Sequence, residues 1–324
     1  MEVDDIFITE ECNSDEDTNT NEETNSLEES PIIENIVISG GGPAGFAFYG
    51  ALKQLCLNNI LQRENIKHMF ATSAGSIMST MFALNYEWEE LDTYLINRPW
   101  EKIFKIQLSD VFAAYQQRGL FTVDIFHHIF DPLLLGKGLE PTITLKEFYD
   151  YSGIHLHFIS TKLRFMNIEV FDHISHPDWQ LCDVIYCSCC VPVFFQPFYY
   201  ENDFYCDGGF ISNYPIDICL QDNRDPLKCI GIRLSPRLET DKDDNVINNS
   251  SDDYSLYTLV NFLLTLFFHL IFRVNKPKNK TPLFKEIILD YHHPLIQDAT
   301  VVLSDREKRK ELILYGEESI QKYI

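Results

Sequence analysis

Ile36-Val37-Ile38-Ser39-Gly40-Gly41-Gly42-Pro43-Ala44-Gly45 is a short apolar run cut off by three consecutive glycines. Residues 36–39 read as a buried strand, and from 44 to 57 the apolar Ala47, Ala51, Leu52 and Leu55 recur at helical spacing. The segment is therefore strand, tight turn, helix. Residues 66–72 repeat the apolar strand and 74–84 the helix after it, with Ala71-Thr72-Ser73-Ala74-Gly75 at the junction. Two such units in succession place both turns at the same edge of a sheet.

Outward from this pair the same alternation continues. Residues 154–161 and Asn167–Phe171 read as strands, and 178–190 as a short helix set between Pro177 and Pro192. The aromatic run 198–205 leads into an Asp207-Gly208-Gly209 turn, and 228–234 is a further strand. Ser304 with Glu307 reads as a capping box that opens a terminal helix. No internal repeat appears, and the order of elements is that of an α/β domain.

The net charge of -23 is unevenly distributed. Residues 1–30 carry twelve Asp or Glu and no Lys or Arg, among many Asn, Thr and Ser. Such a segment buries too little apolar surface to offset the entropy of ordering, so it is expected to be a disordered acidic tail preceding one folded domain over 31–324. The acid excess argues against a nucleic-acid partner, which demands a basic face. An odd count of nine Cys and an N-terminus without a basic-then-apolar leader point to a reducing, cytoplasmic setting.

Three features carry chemistry. Ser73 lies between a strand and a helix, where a sharp turn exposes a nucleophilic hydroxyl, and Ala74 and Gly75 supply the small neighbours such a turn needs. The helix starting at Ala74 directs its first N–H groups towards a carbonyl under attack. Gly40, Gly41 and Gly42 let backbone N–H donors approach an oxyanion closely. Asp207 offers a carboxylate in a turn made permissive by Gly208 and Gly209.

Taken in order, Gly-Gly-Gly-x-x-Gly, then x-x-Ser-x-Gly-Ser, then Asp-Gly-Gly with Asn213-x-Pro215 resembles the patatin-like phospholipase family over residues 35–235. Pro192-x-Phe194-Phe195-x-Pro197 and the 145–153 stretch with Thr161 are similar to intervening segments of that family, and the overall look is similar to patatin-like proteins of large DNA viruses. The resemblance implies a three-layer α/β/α sandwich with a mainly parallel central sheet. It also implies a lipid acyl hydrolase with Ser73 as nucleophile and Asp207 as base, acting on a membrane lipid or phospholipid. No cofactor is expected, and with no second C-x-x-C pair and no calcium-loop pattern no metal is expected either. Two positions depart from the pattern: Ala71 stands where the elbow usually has Gly, and Ala44 where the glycine loop commonly has a basic residue.

Other readings remain open at this level. Gly40-x-Gly42-x-x-Gly45 matches a dinucleotide fingerprint, with Glu64 at about the right separation, although Glu64 precedes the second strand instead of closing it. Ser73, Asp207 and then His292 or His293 follow the chain order of a hydrolase triad. Ala71 and Ala44 are compatible with a lipid-binding scaffold that has lost turnover. Cys187-Ser188-Cys189-Cys190, near Cys182 and Cys206, contains one C-x-x-C pair but no second, and reads as a small-residue helix packed near the site. Residues 256–272, after the polar stretch 239–253, form an apolar run with one polar stripe, which suits a core helix. Arg273, Lys276, Lys278 and Lys280 behind it give the second reading, a peripheral anchor on anionic lipid.

Overall fold

The computed structural model describes residues 31–105, 114, 116–221, 223–235, 282–290 and 301–324. The acidic segment 1–30, the 239–253 and 256–272 stretches with the four cations after them, and His292 and His293 lie outside the described residues.

The first strand, β1 (Asn35–Ile38), is buried along its whole length. Its apolar residues serve two cores: Ile36 and Ile38 join the larger one, and Val37 joins a smaller one with Phe70 of β2 (His68–Thr72). That is why the strand reads as a continuous apolar run instead of an alternating one. A single turn of 3-10 helix, Gly42–Ala44, leads from the glycines into α1 (Gly45–Leu57). β2 passes through Ser73 into α2 (Ala74–Ala83), and α3 (Trp88–Asn97) follows.

The remaining strands are β3 (Gly119–Phe121), β4 (His155–Lys162), β5 (Asn167–Phe171), β6 (Val193–Phe195), β7 (Phe198–Tyr200), β8 (Asp203–Asp207), β9 (Cys229–Leu234) and β10 (Lys285–Leu289). The main sheet runs β10-β9-β1-β2-β4-β8-β7, with β5 also paired to β4, while β3 and β6 form a separate pair. β10, β9, β1, β2 and β4 are mutually parallel; β5 and β8 run antiparallel to β4, and β7 antiparallel to β8. α1, α2, α3 and the helices Asp124–Gly136, Leu181–Cys189 and Arg306–Ser319 feed the larger core, whereas Tyr214, Ile216 and Cys219 cover the opposite face. Helix, sheet and a thinner helical cover make the three layers. Among the described residues no helix is long and apolar enough to cross a membrane.

Two details differ from the sequence reading. The helix expected over 178–190 begins only at Leu181, because Gln180 bridges to Thr144 and Leu181 N–H donates to the Ile143 carbonyl. The terminal helix is capped by Asp305, whose side chain accepts from the N–H groups of Glu307 and Lys308, and not by Ser304, whose hydroxyl donates to the Val301 carbonyl at 3.2 Å. Asp is as strong a cap as Ser, so the start shifts by one residue.

That terminal helix crosses α1 at backbone distance. A Cβ on Gly50 would lie 2.0 Å from the Ile313 carbonyl oxygen, and one on Gly316 would lie 2.0 Å from the Ala47 carbonyl oxygen. Lys53 of α1 fastens the crossing by pairing with Asp92 of α3 at 2.7 Å and Glu317 at 2.8 Å. The helix beginning at the glycine loop is thus held from both sides.

Candidate active site

Sheet register sets the geometry. Ile38 pairs with Ala71 and Thr72 with Ile159, so the glycine turn after β1 and Ser73 after β2 emerge together at one edge, as the repeated strand-turn-helix units imply. β8 runs the other way and ends with Asp207 opposite Ser160, one residue beyond Ile159. Asp207 is therefore level with Ser73 across the intervening β4. Two strand spacings, roughly 10 Å between backbones, are short enough for side chains to converge.

Ser73 has φ 54 and ψ -124, a left-handed conformation for a residue with a Cβ. Such a conformation costs on the order of 1–3 kcal/mol and persists only where its surroundings impose it. The imposing groups are visible. Ser73 N–H donates to Ser188 Oγ at 3.0 Å, and its carbonyl accepts from Ser76 N–H at 2.8 Å. Ser188 Oγ in turn donates to the Ile159 carbonyl at 2.6 Å and pairs with Ser76 Oγ at 2.8 Å. All the hydrogen-bonding capacity of this buried hydroxyl is committed to holding the turn. Ala74 and Gly75 are buried at the helix start, where a Cβ on Gly75 would meet the Ile38 carbonyl oxygen at 2.6 Å.

Ser188→Ala would strand the Ser73 N–H without an acceptor. We expect a loss of about 1–3 kcal/mol in stability, read as a lower urea midpoint with unchanged slope. An unchanged midpoint would show that Ser188 does not brace the turn.

Gly40 lies against Ser73: a Cβ placed there would be 3.1 Å from Ser73 Cβ and 2.4 Å from Asn213 Oδ1. Asn213 clasps it, accepting the Gly40 N–H on its own carbonyl at 2.9 Å and donating Nδ2 to the Gly40 carbonyl at 3.3 Å. Of the three glycines expected to supply oxyanion donors, Gly40 has its N–H already committed. Gly41 and Gly42 N–H have no hydrogen-bond partner among the described residues, and Pro43 has no N–H to offer. Gly42 holds φ +51, which aims the turn into the 3-10 helix.

Asp207 is only 2% exposed. Burial pushes its carboxyl up to about 6, while the Ser73 hydroxyl and the Gly209 N–H beside it hold it below what burial alone would give. Oδ1 accepts from Gly209 N–H at 2.7 Å, whereas buried Oδ2 makes no hydrogen bond of regular geometry among the described residues. The Ser73 hydroxyl is thus close enough to the carboxyl to favour its ionised form. Backbone groups fix the aspartate: its N–H donates to the Cys190 carbonyl at 3.1 Å, and its carbonyl accepts from Thr161 Oγ1 at 3.1 Å. Gly208 lets β8 pass close to β4, where a Cβ would meet the Ile159 carbonyl oxygen at 2.3 Å.

The groups that feel the charge of Asp207 are the thiols of Cys189, Cys190 and Cys206. Burial raises all three thiols, and Cys189 also neighbours the Ser73 hydroxyl. The cysteine-rich helix therefore forms a neutral wall of the site. Ser188, embedded in that run, is the functional neighbour that residue-by-residue reading passed over, its local signal a lone hydroxyl among buried thiols, while Asn213, quoted above as part of the motif, gains a role from its clasp on Gly40. Glu64, which a dinucleotide site would require after β2, sits in the 3-10 turn Arg63–Asn65 before it.

Comparison with known proteins follows the same boundaries. The model of a family described as patatin-like phospholipase matches residues 36–220. The chain is 27% identical over 209 residues to the uncharacterized protein R571 of Acanthamoeba polyphaga mimivirus, covering 64% of this chain and 68% of that protein. It is 27% identical over 191 residues to the probable lipid hydrolase 463L of Invertebrate iridescent virus 6, covering 58% and 63%. The chain thus spans about two thirds of the length of these relatives. Among solved structures, VipD from Legionella pneumophila superposes with a TM-score of 0.46 at 14% identity, over 87% of this chain and 67% of that one.

Proposed function

Because the chain belongs to the patatin-like phospholipase family, we propose that it is a lipid acyl hydrolase of the phospholipase A type, cleaving ester-linked fatty acids through a Ser73–Asp207 dyad and an acyl-enzyme. The observation that carries this reading is a serine held at φ 54 on a strand-to-helix turn beside a buried carboxyl with an unoccupied Oδ2. Asp207 Oδ2 takes the Ser73 proton as Oγ bonds to the ester carbonyl carbon. The carbonyl oxygen becomes an oxyanion, which the N–H groups of Gly41 and Gly42 and the start of α2 stabilise. Collapse expels the alcohol, which receives the proton from Asp207, and water then releases the fatty acid by the same steps in reverse order.

A carboxyl at its ordinary 3.8 is a poor base, and raising it to about 6 improves its match to a serine proton while leaving it ionised at neutral pH. The substrate class is a phospholipid or other membrane lipid, met peripherally. A fluorophosphonate probe is expected to label Ser73 covalently, and a defined lipid panel is expected to yield free fatty acid identified by mass. Folded protein that is neither labelled nor active would instead support a lipid-binding scaffold of the same fold.

A further inference from the structure

The opposite edge of the sheet holds a second chemical group. His68 begins β2, and His155 and His157 project from the start of β4, whose first residue pairs with His68. The three imidazoles each offer a nitrogen within 4.8 Å of the others, and a fourth side chain, Asp172 at the end of β5, faces two of them. β2 is five residues long, so this cluster stands about 16 Å from Ser73 at roughly 3.3 Å per residue, well apart from the hydrolytic site.

We propose that His68, His155 and His157 form a binding site for a divalent transition metal of the zinc type, with Asp172 as the outer carboxylate that orients the rings. His68 Nδ1 and His157 Nε2 are 3.2 Å apart. Two nitrogens bound to one tetrahedral zinc at about 2.0–2.1 Å stand about 3.3 Å apart, so this pair already has ligand spacing. The other nitrogen of His157, Nδ1, lies 3.4 Å from Asp172 Oδ2. A metal-bound imidazole characteristically donates its free N–H to a carboxylate in this way.

Asp172 is itself fixed: its Oδ1 accepts from the N–H groups of Ile174 and Ser175 at 2.8 and 2.7 Å, leaving Oδ2 for the histidines. Among the described residues the buried His155 Nε2 has no hydrogen-bond partner, and it stands 3.7 Å from Asp172 Oδ2.

Ring positions set what must move. Imidazoles sharing one tetrahedral metal have centroids about 5 Å apart by the same bond lengths. His68–His155 and His68–His157 are at 5.0 and 5.5 Å, whereas His155 and His157 are stacked at 4.0 Å. Metal entry requires those two rings to splay by about 1 Å, and the partly exposed edges of His68 and His155 give it a path. Arg224, near Phe70 and acting on His68 and His157, opposes a cation, and the Asp172 carboxylate offsets that charge. Three protein ligands leave the fourth position to water, and the bound ion would clamp the start of β2 to β4. The absence of metal expected from the sequence rested on cysteine spacing, which cannot register histidines from two strands.

A second group, His127, Asp131 and Cys182, is less suited, because burial pushes the Cys182 thiol up to about 12 and away from the thiolate a metal needs.

The test uses tag-free full-length chain, freed of metal with a chelator and titrated with zinc sulfate by calorimetry. One zinc per chain is expected, and cobalt in its place should give the visible absorption of a four-coordinate nitrogen-oxygen site. His68→Gln and His155→Gln are each expected to weaken zinc at least tenfold, and Asp172→Asn by about 10–100-fold. Wild-type protein that binds no zinc at millimolar concentration overturns the proposal, as does wild-type affinity in both histidine variants. Should a variant lose its native circular dichroism, the cobalt spectrum of the parent decides instead, and a six-coordinate spectrum counts against the site.

Discussion

Ser73→Ala is expected to lower hydrolysis of a fluorogenic ester by about four orders of magnitude, leaving only what substrate binding and the glycine-loop donors contribute. The variant should fold normally. Ser73 holds its place through backbone groups, the N–H to Ser188 Oγ and the carbonyl to Ser76 N–H, and alanine keeps both. Its hydroxyl helps hold the Asp207 carboxyl below what burial alone would give, so the denaturation midpoint should fall only slightly at neutral pH, while the large loss lies in kcat and in covalent labelling. Parental activity in this variant would remove Ser73 from the mechanism.

Asp207→Asn should separate activity from stability, in opposite directions. Loss of the base is expected to reduce kcat by about 10²–10⁴-fold. For stability, burial lifts the folded carboxyl to about 6 against an ordinary 3.8. Between these values the folded protein binds more protons than the unfolded chain. Its contribution to stability is therefore present in acid and lost as pH rises through about 6. Two units correspond to an ionised carboxylate costing on the order of 3 kcal/mol above that pH. Asparagine has no charge to bury and keeps an oxygen for the Gly209 N–H, so at pH 8 the variant should unfold at a higher urea concentration than its parent, the gap closing towards pH 4. The parent's kcat should rise with pH through about 6 as the base ionises. A variant less stable than the parent at pH 8 would mean that the carboxylate is not under strain there.

How much of this was readable from residues alone depends on distance along the chain. The strand-turn-helix units around Gly40 and Ser73 are local, and their glycines and apolar runs state them directly. Asp207 was recognisable as a turn residue, but its level with Ser73 follows from the antiparallel pairing of β8 with the distant β4, whose register no local pattern encodes. The commitment of the Gly40 N–H to Asn213 joins residues far apart in sequence. Ser188 was hidden because one small hydroxyl in a cysteine run looks like packing until the groups around it are known. The histidine trio was invisible for a similar reason: His155 and His157 alternate on one strand as any surface pair does, and His68 belongs to another strand.

The meeting of Gly50 with Gly316 carries a consequence for how such a chain can change. Most tight contacts drift by exchange, one partner shrinking as the other grows. Here both partners are already the smallest residue available, and each would press a methyl group into the other helix's main chain. No neighbouring substitution can make room. The two positions are coupled without any shared chemistry, and although Gly316 lies well beyond the span matched by the family model, it is as constrained as the residues around the serine.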